Sequence, residues 1–223
     1  MSVSTLSTSN QNYLKAIWSL GEWSDDPVTT SAVAARVGVR MSTASDAVRR
    51  LGELGLVEHT PYGSMSLTDE GRMHAVAMVR RHRLIETFLV EVLDYRWDQV
   101  HEEADHLEHA VSDFMVQRIA EHLGHPDRDP HGDPIPNADG SILQLDAVTL
   151  TDLGTGRPAR VERISDDDPA LLQFFAEHGI GVGSVLEAKP GLPYSGGIEI
   201  IVDSAEETLT LGRAATDSVW VKP

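Results

Sequence analysis

The chain has 223 residues, no cysteine and a formal net charge of −17, which excludes disulfide staples, zinc–thiolate fingers and a cysteine nucleophile. Its hydrophobic fraction of 41% suits a packed core rather than a disordered polyanion. No apolar run approaches the ~20 residues a bilayer-spanning helix needs, and the polar start MSVSTLSTSN is not a signal peptide, so a cytoplasmic protein with no membrane partner is expected.

The charge is uneven: residues 1–72 carry 6 basic and 8 acidic side chains, residues 125–223 carry 7 and 17. A local basic face is therefore compatible with the N-terminal third, although the total does not predict one. In chain order, residues 9–23 place Tyr13, Leu14, Ile17, Trp18 and Leu20 at helical spacing. Pro27 breaks the chain. Thr29 or Thr30 can cap a short helix over 31–37 that Gly38 ends. Ser42 can cap a third helix over 43–54, closed by Gly55. Two short helices joined by a turn make a helix-turn-helix. Residues 56–68 follow as two strand-like runs about a turn formed by Pro61, Tyr62, Gly63 and Ser64. That order is a winged helix.

Thr68 caps a long helix running to about Leu93. A second long helix is expected over 98–123, with Val100, Ala104, Leu107, Val111, Phe114 and Met115 as its apolar stripe and Gly124 as its stop. Two such helices in succession suggest an antiparallel pair able to bury surface against a second subunit. Residues 125–141, rich in Pro, Gly and Asp, read as a linker or extended crossing segment. Five strand candidates follow, at 159–164, 183–188, 198–202, 208–211 and 218–221, with one helix over 168–179 among them; this density suggests a small barrel. The expected architecture is mainly α with small β parts. It comprises a winged helix-turn-helix over 1–72, a helical metal-binding and dimerisation domain over 73–140 and a barrel domain over 141–223.

The chemistry sits in RHRLIE and HEEADHLEH. His82 and Glu86 are four apart and share a helix face. His101, Asp105, Glu108 and His109 follow at spacings of four, three and one. If the two helices are antiparallel neighbours, six nitrogen and oxygen donors converge. Either motif alone reads most simply as a solvated polar face; both together, behind a winged helix, point to a metal. On the winged-helix reading, Arg40 meets a phosphate or a guanine edge, and Ser42 and Thr43 meet phosphate oxygens, with Thr43 also suited to a thymine methyl. Asp46 faces a cytosine amino group, Arg49 and Arg50 reach phosphates, and the wing tip with Tyr62 and Ser64 tracks the backbone.

RRHRLIETFL followed by VHEEADHLEHAVSD, with NYLKAIWSL near the start and HGDPIP after the helices, resembles the diphtheria toxin repressor family of iron and manganese regulators. The resemblance covers most of the chain and is strongest over 12–136. It implies a metal-dependent transcriptional repressor that controls metal-ion homeostasis as a homodimer on palindromic double-stranded operator DNA, with no catalytic role and no small-molecule substrate. It also implies an SH3-like C-terminal barrel and two metal ions per subunit. Carried across by position, the primary site takes Asn12, Asp105, Glu108 and His109, and the ancillary site takes His82, Glu86 and His101. A carboxylate from the C-terminal domain matches Asp168 best, with Asp167 next to it; a glutamine ligand of some relatives falls on Leu171, which cannot coordinate. Iron-sensing members have Met and Cys where this chain has Asn12 and Asp105, and hard oxygen in place of sulfur favours Mn(II), with Fe(II) the alternative. The rival readings are a manganese-dependent helical metallohydrolase and a metal buffer that binds no DNA.

Overall fold

The computed structural model describes residues 6–59, 63–191, 196–205 and 207–222. Their contacts define two units. The first holds the chain up to His82 with His106–Glu121 and Pro136–Ile142; the second holds Arg83–Asp105, His122–Ile135 and everything from Leu143 onward.

In the first unit, α1 (Thr8–Glu22) starts at Ser7, whose Oγ accepts the Asn10 N–H. Helix α2 (Thr30–Val37) is capped by Thr29 through the Ala32 N–H, and Gly38 stops it in the left-handed region at φ 71°. Helix α3 (Met41–Glu53) begins earlier than the Ser42 cap predicts. Arg40 holds the cap position without a side-chain bond, and the first helical bond runs from the Ala44 N–H to the Arg40 carbonyl. The early start seats Ala44, which is fully buried with Ala47, Val48 and Leu51, and leaves Ser42 exposed in the first turn. Tyr13, Leu14 and Ile17 of α1 and Val33 of α2 close the same core, each large side chain contributing about 1.5–3 kcal/mol by leaving water. Strands β1 (Val57–His59) and β2 (Met65–Leu67) pair antiparallel, Val57 opposite Leu67. The expected wing-tip residue Tyr62 lies outside the described residues.

Helix α4 (Asp69–Leu93) is capped by Thr68, whose Oγ1 accepts the Gly71 N–H and donates to the Gly55 carbonyl. Gly71 packs so closely on β1's approach that a Cβ there would lie 1.9 Å from the Leu56 carbonyl oxygen. The single helix expected over 98–123 is instead two. A 3-10 turn (Trp97–Gln99) leads into α5 (Val100–Leu107), and after a turn α6 (Asp113–His122) begins. Arg81 accounts for the break. Its guanidinium donates to the carbonyls of Glu108 and Val111, at 3.0 and 3.1 Å, and pairs with Asp113. Ser112 then accepts the Met115 N–H to start α6. The expected apolar stripe ends with the break: Phe114 and Met115 are 76% and 47% exposed.

In the second unit, residues 129–135 are not a loose linker. Asp129, His131, Asp133 and Ile135 are buried. Arg83 donates to the Pro134 carbonyl and pairs with Asp133, and Arg163 donates to the same Asp133 oxygen at 2.7 Å. Asp129 Oδ1 accepts the backbone N–H groups of His131 and Asp133. At Gly132, with φ 92°, a Cβ would lie 2.1 Å from the Glu162 carbonyl oxygen, so only glycine fits. The strands are β3 (Val148–Thr149), β4 (Pro158–Ile164), β5 (Val185–Pro190), β6 (Gly197–Val202), β7 (Leu209–Gly212) and β8 (Val219–Lys222). They form one antiparallel sheet in the order β3-β8-β4-β5-β6-β7. Helices α7 (Leu150–Leu153), α8 (Pro169–Glu177) and α9 (Arg213–Asp217) accompany the sheet. Leu150, Ile164, Leu172, Phe175, Leu186 and Ile200 form the core of this part. The two-residue β3 was not foreseen, because it is too short to show alternation.

Candidate metal centre and nucleic-acid interface

In the first unit, Glu108 and His109 lie in the turn where α5 ends. Glu108 is 1% exposed, and its Oε2 is 2.6 Å from His82 Nδ1 and 2.7 Å from Lys15 Nζ. Burial alone raises the Glu108 carboxyl. The hydrogen bond with His82 and the charge of Lys15 outweigh it and hold the carboxyl below the ordinary glutamate range. His109 Nδ1 is 2.7 Å from Gln11 Oε1, while the Gln11 amide nitrogen donates to the Leu6 carbonyl. An amide oxygen only accepts, so the His109 proton sits on Nδ1. Its Nε2 is then the ring nitrogen left to meet a metal, and it lies 3.4 Å from Glu108 Oε1.

Gln11 and Lys15 lie one turn apart on α1, and sequence reasoning singled out neither. The metal ligand that the resemblance implies on this helix, Asn12, is exposed, whereas Gln11 is 5% exposed. A step of one residue turns about 100° around a helix, so Asn12 and Gln11 cannot share a face. His82, which the resemblance sets with Glu86 and His101, has its Nδ1 on Glu108.

In the second unit, Glu86 is 1% exposed and its Oε1 is 3.4 Å from His101 Nδ1. Asp166 Oδ2 is 2.7 Å from the same nitrogen. Burial opposes charge on His101, yet Asp166 and then Glu86 push its pKa up to about 11. Asp105, half exposed, is 3.9 Å from His101 Nε2. On the far side of Glu86 lie Asp129 and His131, with ligand atoms of all three within 4.8 Å of one another. His131 is fully buried. Its Nε2 faces the Trp97 carbonyl at 2.9 Å and its ring stacks on Trp97, so Nε2 bears the proton. Its Nδ1 is buried with no hydrogen-bond partner. Burial, then Asp133 and Glu86, push the Asp129 carboxyl well above its ordinary value against the pull of His131 and Arg83. An orphaned imidazole nitrogen among crowded carboxylates fits a cation, and every donor gathered here is nitrogen or oxygen.

The carboxylate that reaches this cluster from the C-terminal part is Asp166, not Asp168. Asp168 caps α8 by accepting the N–H groups of Ala170 and Leu171, and Asp167 accepts from Ser165. Asp129 and His131 were also missed. Their only trace in the sequence is a histidine between two aspartates in the 125–141 run, whose composition reads as a linker.

Of the residues expected to meet DNA, Arg40, Ser42, Thr43, Asp46, Arg49 and Arg50 are all exposed at or along α3, opposite its buried face. Arg49 is paired within the helix, 2.8 Å from Glu53 and 3.8 Å from Asp46. Ser64 is half-buried, bridged to Thr29 at the start of β2.

Three family descriptions match the chain in series. They are an iron-dependent repressor N-terminal DNA-binding domain over residues 5–65, an iron-dependent repressor metal-binding and dimerisation domain over 68–137, and a FeoA domain over 148–223. The iron-dependent repressor IdeR of Mycobacterium leprae is 32% identical over 225 residues, covering 94% of this chain and 95% of that protein. Among solved structures, a manganese-dependent transcriptional repressor in complex with manganese is 51% identical, with a TM-score of 0.90 over 95% of this chain and 98% of that one. The manganese regulator SloR is 30% identical, with a TM-score of 0.80 over 96% and 97%.

Proposed function

Because the chain belongs to the diphtheria toxin repressor family of metal-dependent transcriptional repressors, we propose that manganese(II) activates it, bound at two places in each subunit of a homodimer on palindromic operator DNA. The metallohydrolase and buffer readings fall with that membership, since the family is one of DNA-binding repressors and not of enzymes. The observation carrying the manganese assignment is the donor set. Glu108 and His109 in one unit, and Glu86, His101, Asp129, His131 and Asp166 in the other, offer imidazole and carboxylate without sulfur. The resemblance adds Asn12 to the first set. The 51% identity to a repressor solved with manganese supports the same choice, while the full-length likeness to IdeR keeps Fe(II) as the second reading.

A bound divalent ion supplies positive charge to carboxylates that otherwise repel one another. The protein's own part is mechanical coupling. Gln11 and Lys15 tie α1 to Glu108 and His109, and Tyr13, Leu14 and Ile17 of the same helix pack with Ala44, Val48 and Leu51 of α3. A change at the Glu108 turn therefore reaches the exposed face of α3 through one rigid helix. A coupling of about 1–3 kcal/mol is enough to select one arrangement of the DNA-reading helices. Two α3 helices of a dimer then meet successive major grooves about 34 Å apart. Exposed Phe114 and Met115 of α6, inside the span matched as a dimerisation domain, support a second copy as the subunit partner.

The test is binding to duplex DNA from the protein's own upstream region at fixed salt, with no metal, with Mn(II), and with Fe(II) under anaerobic conditions. Sequence-specific binding with Mn(II) alone is expected, and Glu108→Gln should weaken the metal-induced gain at least tenfold without unfolding the protein. Equal binding with both metals, or with Fe(II) alone, removes the manganese assignment.

A further inference from the structure

We propose that Lys15 is a built-in cation at the Glu108 site, occupying a position an ion would otherwise take and so limiting how many ions, and how tightly, the first unit binds. The inference rests on the metal reading of Glu108 given above. Lys15 Nζ is 2.7 Å from Glu108 Oε2 and 2.8 Å from His82 Nδ1, and those two atoms are 2.6 Å from each other. The Glu108 carboxylate oxygen is the hard donor that a divalent ion takes, and His82 Nδ1 beside it becomes a second one once its proton leaves. Here a side-chain ammonium stands against both. Lys15 is 16% exposed at its side chain and Glu108 is 1% exposed, so water screens their interaction little.

Position decides the outcome. Lysine is a compact point charge with three donors and no acceptor, so it can satisfy Glu108 Oε2 but cannot share that oxygen with an ion beside it without like-charge repulsion. Glu108 therefore has two faces. Oε2 is held by Lys15 and His82. Oε1 lies toward His109, whose Nε2 is turned to it while Nδ1 meets Gln11. An ion entering on the His109 side meets a carboxylate already fixed in place. An ion entering on the His82 side must displace the ammonium. Lys15 thus confines binding to one face of Glu108.

The experiment counts ions by equilibrium dialysis and follows Mn(II) calorimetry on the full chain, with no DNA present. The proteins are wild type, Lys15→Met, Lys15→Arg, Glu108→Gln and the Lys15→Met/Glu108→Gln double variant. Methionine fills the lysine stem without its charge, and circular dichroism checks the fold. Lys15→Met should bind one further Mn(II) per chain, or bind at the Glu108 site at least tenfold tighter. Lys15→Arg should match wild type, and Glu108→Gln should cancel the gain. An ion count and affinity unchanged by Lys15→Met, while Glu108→Gln still removes an ion from the wild type, overturns the role of Lys15 and leaves the metal reading standing. An ion count that Glu108→Gln leaves unchanged in both backgrounds overturns both.

Discussion

Asp98 shows how a single residue is set by partners both beside it and far away in sequence. It is 7% exposed, accepts two bonds from Arg96 at 2.9 and 2.8 Å, and takes a third from the Gln173 amide at 2.9 Å. Burial raises its carboxyl, but the Arg96 and Gln173 bonds outweigh that and hold it below the ordinary aspartate range. A carboxyl depressed on folding stabilises the fold above its unfolded pKa, near 3.9, and loses that contribution as pH falls through the lower folded value. Asp98→Ala should therefore cost about 2 kcal/mol at pH 7 by chemical denaturation, with the gap to wild type closing in strong acid; a gap independent of pH would contradict the assignment. The same logic separates Asp166 from Asp168. Three consecutive aspartates look alike on paper, yet Asp168 is used by its own helix and Asp166 meets His101.

At the scale of elements, α1 to α4 were legible because each buries one face and so shows its period in the residues. The break between α5 and α6 was not, because residues 98–123 keep helical spacing throughout. What ends α5 is Arg81, 27 residues before the Glu108 carbonyl it binds. Arg81→Leu should leave two carbonyls without their donor and cost about 2–4 kcal/mol. In Mn(II) titration it should also weaken binding, because the Glu108 turn loses its brace; a stable variant with unchanged metal affinity would show that the turn holds itself. Helix α3 exposes the residues expected to meet DNA, and among them Arg49 is partly neutralised by Asp46 and Glu53.

For the whole molecule, a net charge of −17 must approach a polyanion. Local cations then carry the non-specific attraction, and affinity depends steeply on salt. Arg40→Ala should lower affinity for all sequences alike and reduce the slope of log affinity against log salt by about one. A sequence-selective loss in a competition assay would instead place Arg40 on a base edge. Among the described residues no helix is long and apolar enough to cross a membrane.

Read alone, the sequence determined the order of the parts, the helical phases of α1 to α4 and a set of candidate histidine and carboxylate ligands. These are local properties: periodicity, caps and spacings of three or four residues along one helix. Tertiary structure decided that Gln11 bonds His109, that Lys15 sits on Glu108, and that Asp129, His131 and Asp166 lie with Glu86 and His101. Each of those depends on which atoms distant chain segments bring together in a buried, weakly screened space, and residue order along the chain does not encode that distance.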